Sequence, residues 1–338
     1  MSKRLVAVLA IASLLALGSM AVRADDTEQS LYAAAKTEGK VVIWTPLDMD
    51  LYKQIAATFT ARYPGVQIEP FRIQPGPAVE RLVTEAKAGR ISVDALDPNI
   101  AYFPLLIERG LVEAYPWDKV FEIPEQRTLF DKRAVVLGHY DMPIAYNTSQ
   151  VRPEQITSWD DVLDPKWRGK ILLEARGSGL AILALKWGEE KTLAYVRKLM
   201  DNRPIITKGA QGTAEALAGG QGAIAIGAYA ARLTLFKEAG APVEWARVGP
   251  IPSQLVAIAP IKGGPHPNAA KLLAAFWASA DAQKIFYDSQ RFGMVGYYLS
   301  PRGEELRAKN IEVVLETTEI EKGRQWTEAV GRAIGGIK

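Results

Sequence analysis

Apolar and polar positions along this chain switch repeatedly between the two-residue rhythm of strands and the 3.6-residue rhythm of helices. KVVIWT, at Lys40–Thr45, is a short β-branched and aromatic run that predicts a buried strand. In DLYKQIAATFTARYP, Leu51, Ile55, Phe59 and Tyr63 recur at every fourth position, one apolar helix face that Pro64 closes. VQIEPF predicts the next strand, and PAVERLVTEAKAG a helix with Pro77 at its first position and Gly89 at its end. AVVLGHY, PIAYNT, KILLE, AIAIG and LVAIAPI continue as strands. ARGSGLAILALKWG and PNAAKLLAAFWASADAQKIFYDSQ supply further helices. In SWDDVLDPKWRG, Ser158 as N-cap with Asp161 three residues on is a variant of the capping box. Residues 300–338 read as helices without a clear strand. Strands alternating with helices predict an α/β fold built on mainly parallel sheets.

The N-terminus follows a different rule. Lys3 and Arg4 precede an apolar stretch over residues 5–17, and small side chains at Val22 and Ala24 mark a cleavage site before Asp25. This is the pattern of a secretory signal peptide over residues 1–24, too short for a membrane span of about 20 residues. The expected product is soluble and periplasmic. Lys3, Arg4 and Arg23 leave with that segment, so Lys+Arg falls from 41 to 38, equal to the 38 Asp+Glu. A formally neutral chain without a basic stripe argues against a nucleic-acid partner. Cysteine is absent, which excludes disulfides, thiolate metal sites and a cysteine nucleophile. The 314 residues that remain of 338 after residues 1–24 can bury a large core without covalent staples, and they suggest two globular units.

Signs of catalysis are sparse. The two histidines, His139 and His266, lack partners at metal-ligand spacing, and each reads as structural. ARGSGL is not the G-x-S-x-G elbow. GGQGAIA precedes a strand, whereas a dinucleotide loop must follow one. Loops at strand ends carry the remaining signals, because ligands of α/β sheets bind outside the carboxyl ends of strands. TPLD offers Thr45, Leu47 and Asp48; IQPGP offers Gln74 and Gly76 at the start of a helix; DPN offers Asp97 and Asn99. RGSG places Arg176 beside Ser178 and Gly179, small residues that let an anion approach helix amides.

The segments LYAAAKTEGKVVIWTPLD, FTARYPGVQIEPF, PIAYNTSQVRPEQITSWDDVLDPKWRGKI and KGGPHPNAAKLLAAFWAS occur in that order. Over residues 30–295 the chain resembles the type II periplasmic solute-binding proteins of bacterial ABC importers, nearest to the group of ferric-iron, thiamine, phosphonate and sugar-phosphate binders. SWDDVLDPKWRGK is the most specific segment. The resemblance implies two α/β lobes joined by two crossover strands, near residues 139–147 and 255–260. Lobe 1 then begins with residues 25–141, lobe 2 comprises residues 142–252, and residues 253–338 hold the return to lobe 1 and the C-terminal helices, with 300–338 assigned to neither lobe. It also implies a monomeric receptor without catalysis or cofactor, which presents a small molecule or ion to an inner-membrane permease. The cleft would be lined by the loops above together with Tyr229, and by Tyr140 and Tyr146 at its floor. Ferric members bind iron through two adjacent tyrosines; here Tyr229 is followed by Ala230, and the pair in GYYLS lies elsewhere in the chain. The expected ligand is therefore a small organic or phosphorylated anion rather than bare iron, with Tyr229 the metal ligand if ferric iron does bind. Asp48 and Asp97 would suit an amine.

Overall fold

Val41, Ile43 and Trp44 are buried along the first strand, which has helices on both sides, and a strand of this kind selects apolar side chains on both faces. The computed structural model describes residues 27–47, 49–288, 293–294, 305–306, 308–316 and 319–335. Lobe 1 opens with α1 (Glu28–Glu38), whose N-terminus is closed by a reciprocal Thr27–Ser30 capping box. It continues as β1 (Lys40–Thr45), α2 (Met49–Arg62), β2 (Gln67–Arg72), α3 (Pro75–Lys87), β3 (Ala95–Leu96), α4 (Phe103–Glu108), α5 (Trp117–Val120), β4 (Thr128–Leu129) and β5 (Ala134–Asp141). Helix α3 starts two residues before the expected Pro77, with Pro75 in its first turn.

Lobe 2 contains β6 (Ala145–Asn147), β7 (Ile171–Glu174), α6 (Ser178–Trp187), α7 (Glu189–Asp201), β8 (Ile205–Thr207), α8 (Gly209–Ala218), β9 (Ile224–Ile226), α9 (Ala230–Glu238) and β10 (Val243–Trp245). The chain returns through β11 (Ile251–Pro260) to α10 (Pro267–Trp277), α11 (Ala280–Asp288) and β12 (Gly293–Met294). It then forms β13 (Val313–Leu315) and α12 (Ile320–Ile334).

The first sheet has the order β12-β5-β11-β3-β1-β2, with β13 on β11 and β4 on β5; the second runs β10-β6-β9-β7-β8. β1 is parallel to β2 and β3, whereas β11 is antiparallel to β3 and β5. Ile43, Ile55, Phe59 and Phe276 lie in the core of the first lobe; Trp159, Leu173, Leu183 and Val196 lie in that of the second. The expected Ser158–Asp161 box forms on a 3-10 turn rather than an α-helix. The Asp161 carboxylate accepts from the Thr157 and Ser158 amides, and Ser158 Oγ accepts from the Asp161 amide.

Two expectations change. Strand β13 lies in a stretch read as wholly helical: VVL is short and gains its pairing from β11 at Ile251–Val313, a partner far away in sequence. The return crossing lies at residues 246–250, ahead of 255–260, because β11 pairs inside the first sheet from Ile251 onward. The outward crossing follows Asp141, which faces Ser253 across the ribbon. There Ser253 Oγ donates to Asp141 Oδ1 at 2.7 Å, and His139 Nδ1 lies 2.9 Å from that oxygen and 2.7 Å from Ser253 Oγ. All three residues are buried, so this serine, histidine and aspartate tie the crossover strands together out of reach of any substrate.

The C-terminal helix, which the sequence assigns to neither lobe, packs on lobe 2. Trp326, Val330 and Ile334, one helical face at i, i+4 and i+8, join the second-lobe core. Helix α6, apolar all round, is correspondingly buried on nearly every side.

Candidate functional site

Two cavities, each of about 510 Å³, meet between the lobes and share Gln74, Asn99, Tyr229 and Gln254 on their walls. β1, β2 and β3 end on the lobe 1 side of the first cavity, and Leu47, Arg72, Gln74 and Asp97 project from the loops at those ends. Lobe 2 answers with Gln211 at the start of α8 and with Tyr229 and Arg232 at the start of α9. The crossover strands add Tyr140 and Gln254. The second cavity is bounded by Gly76 and Tyr102 on one side and by Arg176, Ser178, Glu316 and Trp326 on the other.

Asp97 is 2% exposed, and its Oδ2 accepts from Thr45 Oγ1 at 2.7 Å. Thr45 in turn accepts from the Leu47 amide at 3.1 Å, so a buried residue that lines neither cavity orients the carboxyl. Burial pushes the Asp97 carboxyl well above the usual range, which favours its neutral form. Asn99 is held by its own turn, its Oδ1 accepting from the Ala101 amide.

Tyr229 caps α9 and donates its hydroxyl to Gln254 Oε1 at 2.7 Å. Its ring stacks on Tyr140, with centroids 4.6 Å apart and planes 24° apart. Burial raises both phenols: that of Tyr229 is pushed up to about 12, with Glu174 adding to the rise and Arg176 opposing it, and Tyr140 lies well above its usual value. Tyr146 is not on the cleft floor. It is buried in the second-lobe core, on a strand between β9 and β10.

At RGSG the protein supplies its own anion. The buried Glu174 carboxylate accepts from Arg176 Nε at 3.1 Å and from the Ser178 amide at 3.3 Å. A carboxylate at a helix N-terminus satisfies the same amides that an external anion would. Burial lowers the Arg176 pKa, but Glu174 outweighs this and holds it above the ordinary value. Gly177 has φ +63°, and a Cβ there would fall 2.4 Å from Val330 and 2.7 Å from Ile334, so the turn is small to seat α12. Gly179 packs against Met142 and Pro252 and lines neither cavity. Arg176 and Ser178 do reach the second cavity. Asp48 lies outside the described residues. His266, the other histidine, pairs with Asp94 at 2.7 Å within lobe 1.

Sequence reasoning missed Arg72, Gln211, Arg232, Gln254, Glu316 and Trp326. Arg72 closes the strand that begins at Gln67, and the strand-end rule used for its neighbours would have found it. Arg232 falls three residues after Tyr229 and so shares its helical face. Glu316 and Trp326 carried no signal, because only the docking of the C-terminal segment brings them to the cleft. Burial raises the Glu316 carboxyl to about 7, against the lowering effect of the Leu255 amide and the Asn99 side chain.

Solved structures share this two-lobed arrangement. A Trichodesmium protein (IdiA, FutA) in complex with iron and citrate superposes with a TM-score of 0.70 at 15% identity, covering 87% of this chain and 99% of that one. The periplasmic binding protein AfuA of Actinobacillus pleuropneumoniae, with fructose-6-phosphate bound, gives 0.65 at 22% identity, covering 88% and 97%. Iron uptake protein A1 of Synechocystis is 35% identical over 78 residues, 22% of this chain and only 20% of that protein. The fold is therefore that of the type II periplasmic binding proteins. The bacterial extracellular solute-binding protein model matches residues 54–295, and the chain belongs to that family.

Proposed function

We propose that this protein is a periplasmic receptor that captures a small organic or phosphorylated anion between its lobes and presents it to the permease of an ABC importer. The observation that carries the ligand class is a pair of arginines, Arg72 from lobe 1 and Arg232 from lobe 2, on the walls of one cavity whose acid, Asp97, burial shifts toward its neutral form. Guanidinium groups suit carboxylate and phosphate because their donors form a planar fork. A ligand touching both lobes rewards their closure, and a closed lobe pair is what a permease can distinguish from an empty one. The buried serine, histidine and aspartate at the crossover serve the hinge, which supports a receptor without turnover.

Ferric iron is the second reading, favoured by the Tyr140–Tyr229 stack, which supplies the second phenol that Ala230 denies. Both phenols are held protonated, so ferric binding has to displace two protons against burial. A thermal-shift screen of phosphates, carboxylates, amines and ferric citrate separates the readings. An anion at about 100 times its dissociation constant stabilises the protein by roughly 2.7 kcal/mol. Ferric loading is expected to give no visible phenolate-to-iron absorption band. A strong band that disappears in Tyr229→Phe and in Tyr140→Phe replaces the anion by iron.

A further inference from the structure

Tyr140 and Gln254 are register partners on β5 and β11, so their side chains leave the crossover ribbon on one face. Tyr229 comes down on that pair from the start of α9, its ring on Tyr140 at 4.6 Å and its hydroxyl on Gln254 Oε1 at 2.7 Å. Gln254 and Tyr229 both stand on the wall that the two cavities share. A phenol has one hydrogen to donate, and here the carboxamide takes it. What Tyr229 still offers a ligand directly is an acceptor oxygen and a ring, neither of which suits an anion. Its neighbours on the shared wall differ in how they are held. Asn99 is used at both ends, Oδ1 accepting from the Ala101 amide at 2.9 Å and Nδ2 donating to the Leu255 carbonyl at 3.5 Å. Gln74 makes no side-chain bond to the helix it precedes, so nothing at that cap fixes which end of its amide faces the cleft. In Gln254 the oxygen is held, and Nε2 bonds to no acceptor among the described residues.

We propose that Tyr229 is a positioning residue, which holds the Gln254 carboxamide with its NH2 toward the cleft, and that this NH2 donates to the anionic group of the ligand. The inference rests on the anion reading above and adds a neutral donor to the two arginines. The oxygen and nitrogen of a carboxamide are nearly the same size, so an unheld glutamine presents either one to a ligand. Turning Gln254 over would take the acceptor away from the Tyr229 hydroxyl, and the stack on Tyr140 keeps that hydroxyl in place above it. Held this way, Gln254 favours ligand groups that accept. A group that donates meets two N–H and gains no bond there unless the Tyr229 contact is given up. Tyr229 thus sets the polarity of the wall while Gln254 makes the bond.

The test is a double-mutant cycle read by titration calorimetry on the intact protein. The probe is whichever of inorganic phosphate, ethyl phosphate, propionate and citrate binds the wild type most tightly. Gln254→Ala should weaken its binding about 10-fold or more, as loss of a hydrogen bond to a charged group does. Tyr229→Phe, which keeps the ring and the stack, should weaken it about 3-fold or more in the wild-type background and less than about 1.5-fold in the Gln254→Ala background. An equal cost of Tyr229→Phe in both backgrounds means that the hydroxyl acts on the ligand or on the lobe as a whole, and overturns the inference. So does unchanged affinity in Gln254→Ala; in either case the anion reading stands, because the probe still binds. Gln254→Met, equally long and without donors, repeats the cycle if the alanine variant does not fold. A crystal structure of the wild type with the probe needs no variant: Gln254 Nε2 should lie within about 3.2 Å of an anion oxygen, and Tyr229 Oη should keep its bond to Oε1. An anion oxygen bonded to Tyr229 Oη in place of Gln254 overturns the inference. If none of the four probes binds the wild type, the anion reading itself has failed and the inference falls with it.

Discussion

The two ends of the cleft carry similar side chains under different constraint. Near α6, Arg176 and the Ser178 amide are already engaged by Glu174, and the glycine turn is filled by Val330 and Ile334. Near α9, Arg232 is held more loosely: its Nη2 lies 3.7 Å from Glu215 and its guanidinium over the Phe236 ring, while its Nε and Asp97 Oδ1 have no partner in the protein. An arginine beside a glycine turn is thus not in itself a binding site. What separates the two ends is how tightly the fold itself holds the arginine, at 3.1 Å from a buried carboxylate near α6 and at 3.7 Å from an exposed one near α9.

The sharpest way to break this contrast is to remove one arginine at each end. Arg232→Ala is expected to weaken binding of the anion about 10-fold or more by calorimetry, as removing a charge-assisted hydrogen bond does. Arg176→Ala is expected to cost less than about 3-fold, and the reverse ranking would return the site to α6. Next in size is Gly177→Ala. Its Cβ collides with α12 and its backbone is left-handed, so thermal unfolding should report a loss of about 2–4 kcal/mol while the folded fraction keeps its affinity. Lost affinity with intact stability would mean that the glycine serves the ligand after all.

Glu316 gives a pH signature at the α6 end. Its pKa is raised by burial from the ordinary carboxyl value to about 7 in the fold, so the folded protein holds a proton that the unfolded chain releases. Stability therefore falls as pH rises from about 4.5 to about 7 and then levels off, a change on the order of 2–3 kcal/mol. In Glu316→Gln this slope should flatten in melts taken from pH 4.5 to pH 8. The smallest effect is Tyr229→Phe: the stack on Tyr140 is kept, the bond to Gln254 is lost, and stability drops by about 1 kcal/mol.

Much of the architecture could be read from local pattern. KVVIWT, AVVLGHY and KILLE are strands within a residue of their expected limits, because β-branched runs bounded by turn residues have few other uses in a large α/β domain. The strand-end loops led to Leu47, Gln74, Asp97 and Asn99, and Tyr229 came from the resemblance; all five line the cleft. The failures share a cause. Glu174 looked like the end of a strand, and nothing near it announced that its carboxylate would turn back onto RGSG. The Tyr140–Tyr229 stack, the Thr45–Asp97 bond and the docking of α12 each join residues brought together only by the finished fold. Short-range periodicity reports which face of an element is apolar; it does not report which distant element will cover it.

The Gly177 notch also bears on time. The second lobe begins at about residue 145, but its core is closed by Trp326, Val330 and Ile334, and the notch is filled by side chains of this late helix. While the chain is emerging end-first, from a ribosome or through a translocation pore, Leu180 and Val196 wait for a cover that arrives almost last. A chain stopped short of residue 326 lacks all three of the side chains that cover this core.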